Sequence, residues 1–277
     1  MQNKDLKFVF FGTPDVASET LEILKENGYL PYLIVTAPDK PQGRKMVITP
    51  PPVKVWAVKN NIPYIQPENL KQKELWDILA DKKNIPKFFI VVAYGKIMPE
   101  DLINFPELGS INIHYSLLPK YRGASPVESA ILNGDKETGV SIQKMQFKMD
   151  SGPIIAQEKV EILSNEKAPE LRKRLIKIGG NLLVETIPNF IENKLPLLQQ
   201  KEEEATFCKK IKKEDGLIDL KADPIKNYNK FRAYSFWPRT FFFKDNKRII
   251  ITEAKLEDNK FVIEKIIPEG GKEIDYK

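Results

Sequence analysis

Four short apolar runs, at residues 6–11, 32–37, 87–93 and 110–115, constrain the fold more than any other feature of the chain. The first, Leu-Lys-Phe-Val-Phe-Phe, stops at Gly12, as a buried strand does when it enters a turn. Helical patterns fill the gaps. One opens at Pro14-Asp15, runs through Leu24 and stops at Gly28, and residues 53–59 and 70–82 form two more. Strands alternating with helices require right-handed βαβ crossovers and a parallel sheet. Further on, residues 126–132 read as a helix and 139–145 and 154–162 as strands, the second a candidate antiparallel partner. Residues 169–192 read as a long helix despite Gly179-Gly180. The expected class is α/β, with a Rossmann-like domain on a mostly parallel sheet.

The texture changes after residue 192. Residues 193–205, with Lys-Glu-Glu-Glu, read as a polar linker. Beyond it come a short helix at 224–234, two strands about a turn within 241–252, and a third strand at 259–267. Short strands in a basic module suggest a small, OB-like β-barrel, an architecture common in nucleic-acid binding. The expected division is therefore 1–192, a linker at 193–205, and 206–277. The net charge of +6 is concentrated in the last part, where Thr206 onward holds 17 Lys+Arg against 12 Asp+Glu. Such a footprint points to a polyanionic partner, although a lysine-rich surface without one is the plainer alternative. A single cysteine, Cys208, fits a reducing compartment. The N-terminus lacks the apolar core of a signal peptide, and no apolar run approaches the ~20 residues that span a bilayer. The expectation is a cytoplasmic protein with no membrane partner.

His114 is the only histidine in the chain, and Asn112 precedes it by two positions. On a strand, that spacing puts both side chains on one face. Asp150 lies in a Met-Asp-Ser-Gly turn from which a carboxylate could reach back to the ring. An amide donor, an imidazole and an orienting acid suit acyl transfer. A lone histidine is more often structural than catalytic; its company is what lifts this one. Tyr94-Gly95 closes a strand at the same expected edge of the sheet, where open α/β sheets hold ligands. Other chemistries find no support. Gly-x-Gly-x-x-Gly, a Walker-type phosphate loop and Gly-x-Ser-x-Gly are all absent. One histidine and one cysteine make a metal site hard to build. Gly43-Arg44-Lys45 is either a solvated basic tip or a contact for an anion.

At these residues the chain resembles the methionyl-tRNA formyltransferase family. The match runs through Phe11-Gly-Thr-Pro14, Pro38-Asp-Lys-Pro-Gln-Gly-Arg44, Val91-Val-Ala-Tyr-Gly95 and Asn112-Ile-His114-Tyr-Ser-Leu-Leu-Pro119. It continues through Tyr121-Arg-Gly-Ala124, Gly134-Asp135, Met149-Asp-Ser-Gly152, Asp215-Gly-Leu-Ile-Asp219, Phe231-Arg-Ala233 and Trp237-Pro238. The resemblance implies a formyltransferase domain followed by a tRNA-binding barrel. It implies 10-formyltetrahydrofolate as formyl donor, no metal, and methionyl initiator tRNA as acceptor, handled by a monomer. It makes Asn112, His114 and Asp150 the catalytic set. Ser116, Leu117, Leu118 and Pro119, with Val92, Tyr94, Gly95 and Ile97, would line the folate pocket, and Arg44 and Lys45 would meet the tRNA. The chain departs from the family pattern at Tyr115, at Phe236, and in a shortened stretch between Ala254 and Asn259. Two other readings share parts of the pattern. A sugar-nucleotide N-formyltransferase would use the same trio and folate without a basic C-terminal module, and an RNA-binding protein could carry the fold without the activity.

Overall fold

The computed structural model describes residues 6–277 apart from Arg44. They form two compact units. One is built from the chain up to His114 with Val140–Glu158 and Ile176–Lys201, the other from Tyr115–Gly139, Lys159–Leu175 and Glu202–Lys277.

The first unit is organised on a seven-stranded sheet. Its order is Ile154–Glu161, Glu137–Lys144, Ser110–His114, Phe88–Val92, Phe8–Gly12, Leu33–Val35, Tyr64–Ile65. The last five run parallel; four are the strands that the alternation with helices predicts, and Tyr64–Ile65 was not anticipated. Glu137–Lys144 turns antiparallel to Ser110–His114. All five residues of Phe8–Gly12 and of Phe88–Val92 are buried, because helices cover a parallel sheet on both faces. Phe11 packs against Phe89 and, edge-on, against Tyr94. Each such side chain contributes about 1.5–3 kcal/mol by leaving water.

From Phe8–Gly12 the chain steps outward to Leu33–Val35 and Tyr64–Ile65, then returns to Phe88–Val92 on the other side. The reversal leaves the ends of two central strands, Gly12 and Val92, paired at the point where open α/β sheets hold ligands. Gly12 is required there: a Cβ would lie 2.6 Å from the Phe10 ring and 2.7 Å from Ala17, where helix Asp15–Glu26 begins. The Thr13 hydroxyl donates to the Tyr94 carbonyl at 2.8 Å, which ties the two outgoing loops together.

Local chemistry explains where elements differ from the sequence pattern. The helix expected over 70–82 is confined to Lys73–Leu79. The Asn69 side chain caps the amide of Lys71 ahead of it, and Asp81 caps that of Lys83 behind it, so both flanks are turns. The loop after Pro38 contains a hairpin of Lys40–Gln42 and Val47–Thr49. Lys45 lies exposed in its turn; Arg44 falls outside the described residues.

The second unit holds helices Pro126–Leu132 and Pro224–Ala233, which pack together, and a four-stranded antiparallel sheet. The sheet order is Phe241–Lys244, Lys247–Glu257, Lys260–Pro268, Ile274–Asp275, and the final strand was not anticipated from the sequence. Ile218, Tyr228, Phe231, Phe242, Ile249, Ile251 and Ile266 form its core. Two-residue turns join the first three strands. Asp245-Asn246 and Asp258-Asn259 all have positive φ, the conformation that matches the twist of a tight hairpin and that Asn and Asp tolerate. The stretch between Ala254 and Asn259, where the resemblance implies a shortening, is a direct hairpin, with Glu257 paired to Lys260.

Burial pushes the Tyr94 phenol up to about 12, and burial with the nearby Asp81 charge does the same for Tyr32. Folded, both keep their protons at pH values where an unfolded tyrosine, near pKa 10, has lost its own. Their contribution to stability is therefore complete below pH 10 and lost as pH rises from about 10 to about 12. The Tyr94 hydroxyl has no hydrogen-bond partner among the described residues. Tyr94→Phe is expected to leave the urea midpoint at pH 8 unchanged or higher and to flatten its alkaline decline. A midpoint lowered at pH 8 would show that this hydroxyl is satisfied in solution.

Candidate active site

Strand Ser110–His114 carries Asn112 and His114 on one face, two residues apart. Its antiparallel neighbour puts Gln143 directly across from Asn112 and Ser141 across from His114. His114 is 6% exposed and Gln143 2%. The Asn112 amide donates through Nδ2 to the Val91 carbonyl at 2.9 Å, and its Oδ1 lies 3.3 Å from Gln143 Nε2. Asn112 is thereby oriented from both sides, and of its two N–H groups the second remains to meet a ligand.

Asp150 arrives from the loop that follows the same strand. It has φ of 50°, a left-handed conformation that aspartate tolerates better than most residues. The loop is pulled in tightly. A Cβ at Gly152 would run into the Lys144 carbonyl, and Lys144 N donates to Pro153 O at 2.9 Å. Gln200 Nε2 then donates to the carbonyls of Asp150 and Gly152 at 2.9 and 2.6 Å. With its backbone fixed, Asp150 sets Oδ2 at 3.7 Å from His114 Nδ1 and receives Gln143 Nε2 on Oδ1 at 3.0 Å. Asn112, His114 and Asp150 are thus brought together around a fourth side chain, Gln143. The Gln143 Oε1 is buried without a partner among the described residues, a cost of about 1–3 kcal/mol.

The other residues singled out in the sequence are distributed as follows. Val92 and Tyr94 point into the core at 0% and 3% exposure, so their side chains are closed to a ligand. Gly95 has φ of 82° and open space where a side chain would be. Ile97 is 77% exposed and lines a cleft of about 430 Å³ with Leu70, Lys71, Lys96 and Phe147. In the second unit, Ser116 is fully buried and donates to the Lys120 carbonyl at 2.6 Å. Leu118 is buried, while Leu117 and Pro119 line a cavity with Tyr121, Asp135 and Thr138. Gln143 and Gln200 escaped sequence reasoning. The alternation over 139–145 places Gln143 on a strand, yet only the antiparallel register reveals what it faces.

The described residues contain no group of three or more His, Cys, Asp or Glu side chains able to hold a metal ion. Among them no helix is long and apolar enough to cross a membrane.

The formyl transferase family matches residues 6–187, and the formyl transferase C-terminal domain matches residues 210–275. Methionyl-tRNA formyltransferase of Caldicellulosiruptor saccharolyticus is 41% identical over 253 residues, covering 91% of this chain and 80% of its own. That of Thermotoga maritima is also 41% identical, over 88% of this chain and 77% of its own. Among solved structures, the methionyl-tRNA formyltransferase from Clostridium thermocellum superposes with a TM-score of 0.65 at 18% identity, over 98% of this chain and 100% of that one. The sugar 3N-formyltransferase WlaRD, solved with dTDP and 5-N-formyl-THF, gives 0.70 at 21% identity, over 98% and 97%. The two structures share the fold; the sequence relatives decide the family. The chain belongs to the methionyl-tRNA formyltransferases.

Proposed function

We propose that Asn112, His114 and Asp150 carry the family's reaction in this chain, with 10-formyltetrahydrofolate as the formyl donor and methionyl initiator tRNA as the acceptor. The observation that supports this most directly is the Asn112–Gln143–Asp150 hydrogen-bond chain with His114 beside it, next to the ends of the central strands. The donor, when bound, supplies a formyl carbon attached to nitrogen. An amine attacking that carbon pushes negative charge onto the formyl oxygen. The remaining N–H of Asn112 is oriented to stabilise that oxygen at no cost of reorganisation. His114 Nδ1 faces Asp150, so a proton exchanged with substrate passes through Nε2. The new N–C bond forms directly, the bond from formyl carbon to the folate nitrogen breaks, and the proton lost by the amine passes by way of the imidazole to that departing nitrogen. No nucleophile from the protein is needed.

The 430 Å³ cleft suits a folate by its chemistry. Leu70, Ile97 and Phe147 offer apolar walls for flat rings, and Lys71 and Lys96 set positive charge beside them for carboxylates. Lys96 is held in place by donating to the carbonyls of Pro67 and Glu68 at 2.6 and 2.9 Å.

The acceptor reading rests on the relatives at 41% identity and on the charge excess beyond residue 206. Lys209, Lys210, Lys212 and Lys213 are all exposed there. We assign catalysis to residues 1–192, a connecting role to 193–205 and tRNA contacts to 206–277, with Arg44 and Lys45 as further contacts, in a cytoplasmic monomer. A sugar nucleotide would have no use for this basic surface.

Asn112→Ala is expected to lower kcat/KM by ~10²–10³, the usual loss for one donor to a developing oxyanion, and His114→Ala by ~10²–10⁴, the usual contribution of a positioned proton carrier. Formyl transfer from 10-formyltetrahydrofolate to methionyl initiator tRNA measures this directly. A dTDP-linked amino sugar offered in the same assay is expected to stay unformylated, and its efficient use would overturn the tRNA reading. Raising KCl is expected to lower kcat/KM for tRNA steeply and to leave the KM for folate flat. Lys209→Ala with Lys210→Ala should make the log–log salt slope shallower by about 2, because each lysine that neutralises a phosphate accounts for about 1.

A further inference from the structure

We infer that Gln143 is a positioning residue: its one amide group fixes both the oxyanion donor and the carboxylate that orients the imidazole. This rests on the formyl-transfer reading and gives a role to a residue to which that reading assigns none.

The geometry is one of donors and acceptors. Gln143 Nε2 lies 3.3 Å from Asn112 Oδ1 and 3.0 Å from Asp150 Oδ1, and both of these atoms are acceptors. Only the NH₂ end of an amide can face two acceptors, so the reverse orientation would set three oxygens against one another. The register of the two strands locks the arrangement, because Gln143 sits opposite Asn112 and is 2% exposed. Its Oε1 goes without a partner among the described residues, so the two N–H bonds hold the amide against that cost.

Two consequences follow at the reacting atoms. With Oδ1 of Asn112 occupied, the amide cannot turn over, so Nδ2 keeps its bond to the Val91 carbonyl and its second hydrogen keeps one direction. With Oδ1 of Asp150 occupied, Oδ2 is the oxygen turned to His114. A side chain that never touches substrate thus sets the direction of the oxyanion donor and of the imidazole. The titratable groups facing position 143 in the described contacts are Asp150 and, beyond it, His114.

Two variants and a pH series test the role. Gln143→Met keeps the volume and removes both donors. Its kcat is expected to fall at least ~10-fold, as misplacing catalytic groups does. KM for 10-formyltetrahydrofolate and for methionyl-tRNA should stay within about threefold, and the affinity for 5-formyltetrahydrofolate by calorimetry should not change, since the loss is confined to the transition state. Gln143→Glu keeps one donor while protonated and becomes a third acceptor when ionised, and its carboxyl will share a proton with Asp150. The ratio of its kcat to the wild-type kcat is expected to fall at least ~10-fold from pH 6 to pH 8.5. A merely structural glutamine would give a ratio that does not vary with pH. A wild-type kcat in Gln143→Met would overturn the inference, as would a flat ratio for Gln143→Glu; the latter decides if Gln143→Met does not fold. An inactive wild-type protein would instead count against the formyl-transfer reading.

Discussion

The site depends on the edge where the parallel sheet stops being parallel. Five strands run the same way, and buried parallel strands offer each other little but apolar side chains. At Ser110–His114 the next strand comes from the opposite direction. Antiparallel pairing sets side chains directly across from each other, within reach of hydrogen bonds on a shared face. The same strand that delivers Gln143 to Asn112 continues into the loop that returns Asp150. One strand reversal therefore supplies the amide clamp and the carboxylate together. A parallel neighbour would need a crossover of about a dozen residues and could not turn back on the site so tightly.

Much of this was legible in the residues. The short apolar runs specify the parallel sheet, because the period of a buried strand and the stops around it leave few alternatives. Asn112 and His114 share a face by the period of two alone. Asp150 could be suspected from its turn, but its approach depends on Gly152, where any side chain would strike the Lys144 carbonyl, and on Gln200, far along the chain. No local pattern encodes a side chain that clamps a distant loop. Gln143 was hidden for a related reason: its role follows from register, which the alternation over 139–145 does not fix. The hairpin of Lys40–Gln42 with Val47–Thr49 and the strand Ile274–Asp275 were missed because strands of two or three residues give no period to read.

The second unit is built on different terms. Ile249, Ile251 and Ile266 place the core near one end of the long hairpin, and Ala254, Leu256, Phe261 and Ile263 pack against it from the other. Asp258 and Asn259 close the hairpin in two residues because both accept positive φ. Some of the unit's cations are tied down on the sheet, Lys265 to Glu253 and Lys255 to Glu257 and Glu264. Exposed pairs of this kind add little stability, but each pairing neutralises a lysine locally. Lys209, Lys210, Lys212 and Lys213 are exposed as well, ahead of the helix and sheet in the chain.

Asp150 is the most closely held residue of its loop. Its left-handed backbone is one that aspartate tolerates, and here the surroundings also over-determine it. The surroundings do so three times over: the close pass of Gly152, the two bonds from Gln200, and the amide of Gln143. Nothing in the packing of the apolar core calls for this, because Asp150 belongs to a partly exposed loop. The constraint makes sense when the quantity being fixed is the direction of a carboxylate. Preorganised dipoles stabilise developing charge well only if they do not have to turn during the reaction. Neutral amides suit that task, since Gln143 and Gln200 hold Asp150 in place by hydrogen bonds without setting a second charge beside it.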